Sequence, residues 1–178
     1  MIAYRAADGG DAASIGALHA ESWRRIYRGC FRDEYLDGDV FTERATAWRE
    51  QFDRPLPHQH VRVACEGSAV VGFICAFGAH DARWGSFVDN LHVAARWHGR
   101  GIGTALLRDA GVWLCSDFAD SGVYLFVWER NPARAFYERL GGRDAGLIEL
   151  DNPGGGSAQY SRYVWDTARE LVRHTANA

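Results

Sequence analysis

Apolar and polar residues alternate along Ile2–Ala6, the period-two pattern of a short strand. The period then lengthens. Ile15, Leu18, Trp23, Ile26 and Tyr27 recur at helical spacing, which predicts a helix with Asp11 as its cap. A turn, a short helical piece and a second turn fit Arg28–Asp39, and a second helix fits Val40–Phe52. Asp53–Gln59 carries two of the four prolines and reads as a loop. Alternation returns in His60–Glu66 and passes into the longer apolar run Ser68–Ala79, the two joined as a hairpin by the turn Glu66-Gly67-Ser68. Ser86–Val93 is a further strand, followed by a glycine-rich loop and a long helix over roughly Gly101–Ala119. Gly122–Trp128, rich in β-branched and aromatic residues, reads as a buried strand. Asn131–Gly141 has the marks of a short helix: an Asn cap, Pro at its first position and Gly at its end. The strands Arg143–Leu150 and Gln159–Trp165 flank the flexible loop Asp151–Ser157, and Asp166–Ala178 extends as a weak helix. This order predicts one mixed α/β domain (α+β in character) over residues 1–178, built on a single sheet, with 166–178 as a C-terminal extension.

Composition narrows the function classes. At 178 residues, 47% hydrophobic and 24% charged, the chain reads as a soluble globular domain with a real core. A formal charge of -3 supplies no basic field for nucleic acid, and no apolar run is long enough to cross a bilayer. The stretch Met1–Ser14 lacks the apolar centre of a signal peptide. The four cysteines form no C-x-x-C pair and read as reduced thiols of a cytoplasmic protein. His58 and His60 have strand spacing that could suit a metal, but no third ligand stands near, so no metal site is expected.

Candidate chemistry concentrates in Arg96-Trp-His-Gly-Arg-Gly-Ile-Gly-Thr104. Glycines leave backbone N–H groups unblocked, the following helix adds its dipole, and Arg96 and Arg100 add charge. Such a loop suits a phosphate or pyrophosphate; alternatively the glycines merely allow a tight turn. It is not a Walker loop, because no Gly-Lys-Ser/Thr is present, nor a dinucleotide fingerprint, because the third glycine slot is Thr104 or Leu106.

Leu91–Leu107 resembles the acetyl-coenzyme A binding motif of the GNAT superfamily of N-acetyltransferases, a strand ending in Leu-x-Val followed by Gln/Arg-x-x-Gly-x-Gly/Ala. His98 stands where the family has Gln or Arg. Asn131–Gly142 is similar to the family's Asn-x-x-Ala-x-x-Phe-Tyr-x-x-Leu-Gly helix, and His19–Gly38 resembles one large branch of the family. The resemblance covers nearly the whole chain. It implies a mostly antiparallel sheet, splayed between Phe87–Val93 and Val123–Val127, with flanking helices. It also implies acetyl-coenzyme A as cosubstrate, with pantetheine amides against Leu91, His92 and Val93. The pyrophosphate would lie on the amides of Gly99, Arg100, Gly101, Ile102, Gly103 and Thr104, with His98, Asn131 and Tyr137 also contacting the cofactor. Members of the family often dimerise, so a homodimer is open.

Acetyl transfer to an amine needs the amine deprotonated, the thioester oxygen stabilised and the thiolate released. The resemblance puts Tyr137 beside the departing sulfur and a backbone N–H of Leu91–Val93 at the carbonyl. Many relatives carry a glutamate early on the central strand; Phe87 holds that position here. Asp89, two residues on and therefore on the same face, is the candidate base, or else a carboxylate that orients its surroundings. His92 on the opposite face and Glu21 are further candidates. Trp23 and Tyr27, with Tyr35, are candidates to line the acceptor pocket, or are simply core aromatics. The reading is an N-acetyltransferase acting on a primary amine of a small molecule or peptide. A non-catalytic coenzyme A binding domain and an acyltransferase with another acyl group or acceptor remain open.

Overall fold

A computed structural model describes residues 1–176. Seven strands form one sheet: β1 (Ile2–Ala6), β2 (Gln59–Glu66), β3 (Ala69–Asp81), β4 (Gly85–Val93), β5 (Val123–Trp128), β6 (Arg143–Asp151) and β7 (Ser157–Trp165). Their order across the sheet is β1-β2-β3-β4-β5-β7-β6, antiparallel everywhere except at β4–β5. The helices are α1 (Ala12–Ile26), α2 (Asp33–Asp37), α3 (Val40–Asp53), α4 (Ile102–Asp117), α5 (Arg134–Arg139) and α6 (Ala168–Ala176). The mixed α/β architecture on one sheet is what the pattern predicts, the mostly antiparallel arrangement is what the resemblance implies, and among the described residues no helix is long and apolar enough to cross a membrane.

The two faces of the sheet carry different layers. On one, α4 and α6 cover a core that includes Val88, Leu106, Leu107, Leu125, Tyr163 and Trp165. On the other, α1 and α3 cover β2–β4 around Ile15, Trp48, Val63 and Phe73. Gly16 lets α1 and α3 touch: a β-carbon there would fall 2.6 Å from the Ala45 Cα. A third cluster, Trp23, Phe31, Leu36 and Val40, ties α2 to α1 and α3.

Helix ends depart from the expected caps. Asp8, not Asp11, caps the first turn, accepting the Gly10 N–H at 2.8 Å. The Asp11 carboxylate is instead gripped by both terminal nitrogens of Arg5, at 2.6 and 2.7 Å. The same carboxylate also accepts the Asp8 N–H at 3.0 Å, the reciprocal half of a capping box with Asp8. Asn131 does accept the Ala133 N–H at 2.9 Å, but the helix proper begins only at Arg134. The long helix spans Ile102–Asp117, with Gly101 as its cap residue.

A β-bulge decides which side chains meet. Opposite β3, the register passes from Cys75↔Asn90 to Ala76↔Val88, so Asp89 is the extra residue. Val88 and Leu91 therefore both face α4, whereas Phe87 and His92 both face α1. Simple alternation puts His92 on the face opposite Asp89; the bulge rephases the strand, so alternation counted through Asp89 no longer holds.

Candidate active site

β4 and β5 pair at only two positions, Ser86↔Val123 and Phe87↔Tyr124, and then part. Beyond Phe87 neither strand supplies partners for the other's edge, so Leu91–Val93 present backbone groups to the gap. The Leu91 and Val93 side chains pack toward the α4 core. His98 folds back on the end of β4: its Nε2 lies 2.8 Å from the Val93 carbonyl oxygen and so serves as the donor. The side chain that departs from the expected Gln or Arg is thus engaged in holding the strand terminus.

The glycine loop follows directly. Gly99 and Gly101 are left-handed, at φ +72° and +77°, and a β-carbon on either would meet nothing within 4 Å. Conformation, not crowding, calls for glycine there, and the loop is open on its outer side. Gly103 differs: its Cα faces the Phe136 ring, 3.4 Å from where a β-carbon would sit. The α4 ladder starts with the Ala105 N–H on the Gly101 carbonyl, so the N–H groups of Ile102, Gly103 and Thr104 have no partner within the helix. Open space, orphan amides and the positive end of a helix of 16 residues fit an anion. Arg100 is exposed, its guanidinium 4.6 Å over the Trp97 ring.

Polar and aromatic groups gather at the mouth of the gap. The Tyr137 ring is buried in the α4-side core, yet its hydroxyl makes no hydrogen bond to a described residue and is not sealed from solvent. Burial pushes this hydroxyl well above the ordinary tyrosine range, with Tyr27 adding to the effect, so it stays protonated. Tyr27 stacks on Phe31 at 4.5 Å and on Trp128 at 6.1 Å, with Asn131 beside its hydroxyl. Burial raises it to about 12. Trp23, by contrast, is 9% exposed, packed between Phe31 and the Arg44 guanidinium. Tyr35 donates to Glu43 at 2.9 Å.

Asp89 is accessible to solvent but ringed by protein, as at the floor of a cleft, and desolvation raises its carboxyl to about 6. His92 is driven the other way, to about 4, by burial and by Arg25. Its ring lies 4.8 Å from that of His19 on α1 and 5.3 Å from Phe73. His19 Nδ1 accepts the Trp48 indole N–H at 3.1 Å, which leaves the proton on Nε2, a buried atom without a partner. Glu21 is exposed on α1. His60 pairs with Asp109 at 2.9 Å and stacks on Trp113, away from His58, which lies against Phe118. Among the described residues no three His, Cys, Asp or Glu side chains are grouped for a metal.

A family model described as the acetyltransferase (GNAT) family matches residues 20–142, from the first helix through the short helix of Tyr137. The chain belongs to the GNAT acetyltransferase family. It is thereby an acyltransferase that draws on a coenzyme A donor. No individual curated protein matches it. Among solved structures it is similar to the PaiA N-acetyltransferase of Thermoplasma acidophilum in complex with coenzyme A, with a TM-score of 0.67 and 19% identity over 93% of this chain and 99% of that one. It is similar too to NAA60 of Arabidopsis thaliana in complex with a bisubstrate analogue, at 0.66 and 20% over 93% and 97%. A third is yncA of Salmonella typhimurium, a putative acetyltransferase with acetyl-CoA, at 0.64 and 19% over 93% of both chains. At these identities the likeness is one of GNAT fold.

In this GNAT chain Tyr27 has Asn131 beside its hydroxyl and stands near enough to Asp89 and Tyr137 for their charges to bear on one another, where β4 has parted from β5. Sequence reasoning did not single out the bulge, the His19–His92 contact or the aromatic row Tyr124, Phe126 and Trp128. That row was open to view as every second residue of one strand. The bulge leaves no mark in a single sequence.

Proposed function

We propose that the protein transfers an acetyl group from acetyl-coenzyme A to a primary amine of a small molecule or peptide, by direct attack. The observation that carries this reading is the parting of β4 from β5 with Asp89, Tyr27, Asn131 and Tyr137 at its mouth. When bound, the thioester supplies the activated acyl group. The orphan amides of Ile102, Gly103 and Thr104 would hold its pyrophosphate, aided by the Gly99–Gly101 turn and Arg100. The open β4 edge at Leu91–Val93 would pair with the amides of the pantetheine arm, and a backbone N–H there would stabilise the thioester oxygen as charge builds.

Two side chains move protons in this scheme. Asp89, ionised above a pKa of about 6, takes the proton of the incoming ammonium, directly or through water. Tyr137 keeps its own proton far above neutral pH and offers it to the departing sulfur. A thiolate leaves readily and the oxyanion is served by N–H groups, so the scheme needs no metal. A cytoplasmic setting suits the four cysteines, all of them free.

Thiol release from acetyl-coenzyme A in the presence of a panel of primary amines is the test. Amine-dependent release together with a rise in Tm on coenzyme A binding supports the reading. Binding without release from any amine makes the protein a coenzyme A sensor. Faster release from another acyl thioester, or with an alcohol, reassigns the acyl group or the acceptor.

A further inference from the structure

On the face of β5 and β7 turned away from α4 lies a row that no described helix covers, buried at Tyr124 and Val164 and half-buried at Phe126 and Arg162: α1 packs on β3 and β4, and α5 and α6 lie on the opposite side. Tyr124 and Phe126 stand on this face and pair across the strands with Val164 and Arg162. Phe87, the residue at which β4 leaves β5, stacks on Tyr124 at 4.9 Å and lies 5.7 Å from Phe126. The row therefore runs straight out of the splay.

Arg162 is its unusual member. The guanidinium carbon sits 4.2 Å over the Trp84 ring and 5.3 Å from Phe126. Its Nε is sealed from solvent without a hydrogen-bond partner. No carboxylate of the described residues comes within 4.0 Å of its nitrogens. Asp81 is near enough to feel its charge, but that carboxylate accepts the amide N–H groups of Arg83 and Trp84, both at 2.8 Å. Arg83 lies over the same Trp84 ring, at 4.7 Å, so a second cation stands close by. Ring stacking holds the planar guanidinium in place. It leaves the four N–H donors of the two terminal nitrogens, shaped for an oxyanion, with no partner among the described residues.

We infer that this face holds the far end of the acceptor: the acceptor is a primary amine joined through an apolar body to a carboxylate or phosphate group, which Arg162 receives. The inference rests on the acetyl-transfer reading for the position of the amine at Asp89. The spacing follows from the sheet. Arg162 on β7 and Asp89 on β4 are two strands apart, and because β4 has already left β5 at Asp89 their backbones are separated by more than the roughly 10 Å of two strand spacings. The amine and the anion of a fitting acceptor are thus separated by several bonds, as across a benzene ring or a short alkyl chain, with Phe87 and Phe126 alongside the spacer.

The experiment pairs each anionic amine with its neutral twin: 4-(aminomethyl)benzoate with 4-(aminomethyl)benzamide, and 6-aminohexanoate with its amide. The phosphonate analogue of the benzoate tells which anion is preferred. Affinity for coenzyme A-saturated protein is measured by calorimetry, and thiol release separately. The anionic member is expected to bind on the order of tenfold tighter than the neutral one, the margin of a charge-assisted hydrogen bond. Arg162→Gln should remove that margin and leave the amides unaffected. Arg162→Lys, a second variant should the first not fold, keeps the charge without the fork and should retain only part of it. A margin in binding without thiol release from any amine upholds the anion site and sinks the transfer chemistry. Equal binding of acid and amide to the wild type, or a margin that survives Arg162→Gln, overturns the inference, whatever the turnover.

Discussion

The two faces of β4 are built on different principles. Toward α4 it presents Val88, Leu91 and Val93 to an apolar core, and the interactions left for a ligand on that side are backbone ones: an unpaired strand edge, orphan helix amides and two left-handed glycines. Toward α1 it presents Phe87, Asp89 and His92 to histidines and aromatic rings, with Asp89 pushed up to about 6 and His92 down to about 4. In the proposed reading the first face recognises by shape and by N–H groups that any sequence could supply, and the second acts through side chains whose proton affinities are set by their neighbours. A single extra residue, Asp89 in the bulge, separates the two designs.

Four changes would break or sharpen this contrast. The largest effect is expected from Gly101→Val on the backbone face. Its β-carbon meets no protein atom within 4 Å, so the fold should survive some strain at φ +77°, while the open side of the loop is filled. Coenzyme A should then no longer raise Tm, and calorimetry returning wild-type affinity would falsify the placement. Tyr137→Phe should come next: turnover falls roughly tenfold to a hundredfold with coenzyme A affinity nearly unchanged, because only a proton donor has been lost. Steady-state rates beside a binding titration decide it, and full turnover would return Tyr137 to a packing role.

Asp89→Asn acts on the titrating face and should show its signature in pH. For the wild type, kcat/KM should rise as pH climbs through about 6 and Asp89 ionises. The variant should lose that inflection, with its deficit greatest at moderate pH and smaller at high pH, where free amine is abundant; an equal deficit at every pH would assign Asp89 a positioning task. Stability supplies the control. A carboxyl whose folded value is raised from 3.8 to about 6 favours the fold below pH 4, and that contribution disappears as pH rises through 6. Above pH 6 the variant should therefore melt slightly higher than wild type, by roughly 1–3 °C, and at pH 4 no higher. His92 runs the opposite way, its contribution fading as pH falls from 6.5 toward 4. The smallest change should come from Arg100→Ala. Its guanidinium rests on an exposed loop over Trp97, and a loss of only a few-fold in coenzyme A affinity would agree with amides carrying the site.

The same contrast explains what could be read from the residues alone. Strand and helix positions follow from hydrophobic period, and the backbone face announces itself because glycines at 99, 101 and 103 have few other uses in front of a helix. The titrating face does not. Its layout depends on an extra residue in β4, and alternation carried past Asp89 puts His92 on the wrong side. Asp11 misled in a similar way: a helix-start signal and an ion pair with Arg5 look alike until the distance is known. Trp23 lies in the last turn of α1 and Tyr27 just past its end, yet one is buried and the other stacks on Trp128, a distinction that waits on α2 closing over the first.

The narrow seam between β4 and β5 has a consequence for how the chain comes off the ribosome. β1–β4 are contiguous in sequence and pair only with one another up to residue 93, and β5–β7 do the same from 123 to 165, with two residue pairs joining the groups. The hydrogen-bond ladder of the first half, with α1 and α3 on one side, can be complete before α4 is synthesised. Its other apolar face stays bare until α4 emerges to cover β2 and β3. A nascent chain stalled after Val93 should therefore protect the amides of β2 and β3 while exposing a sticky surface, the stage at which a chaperone would be needed.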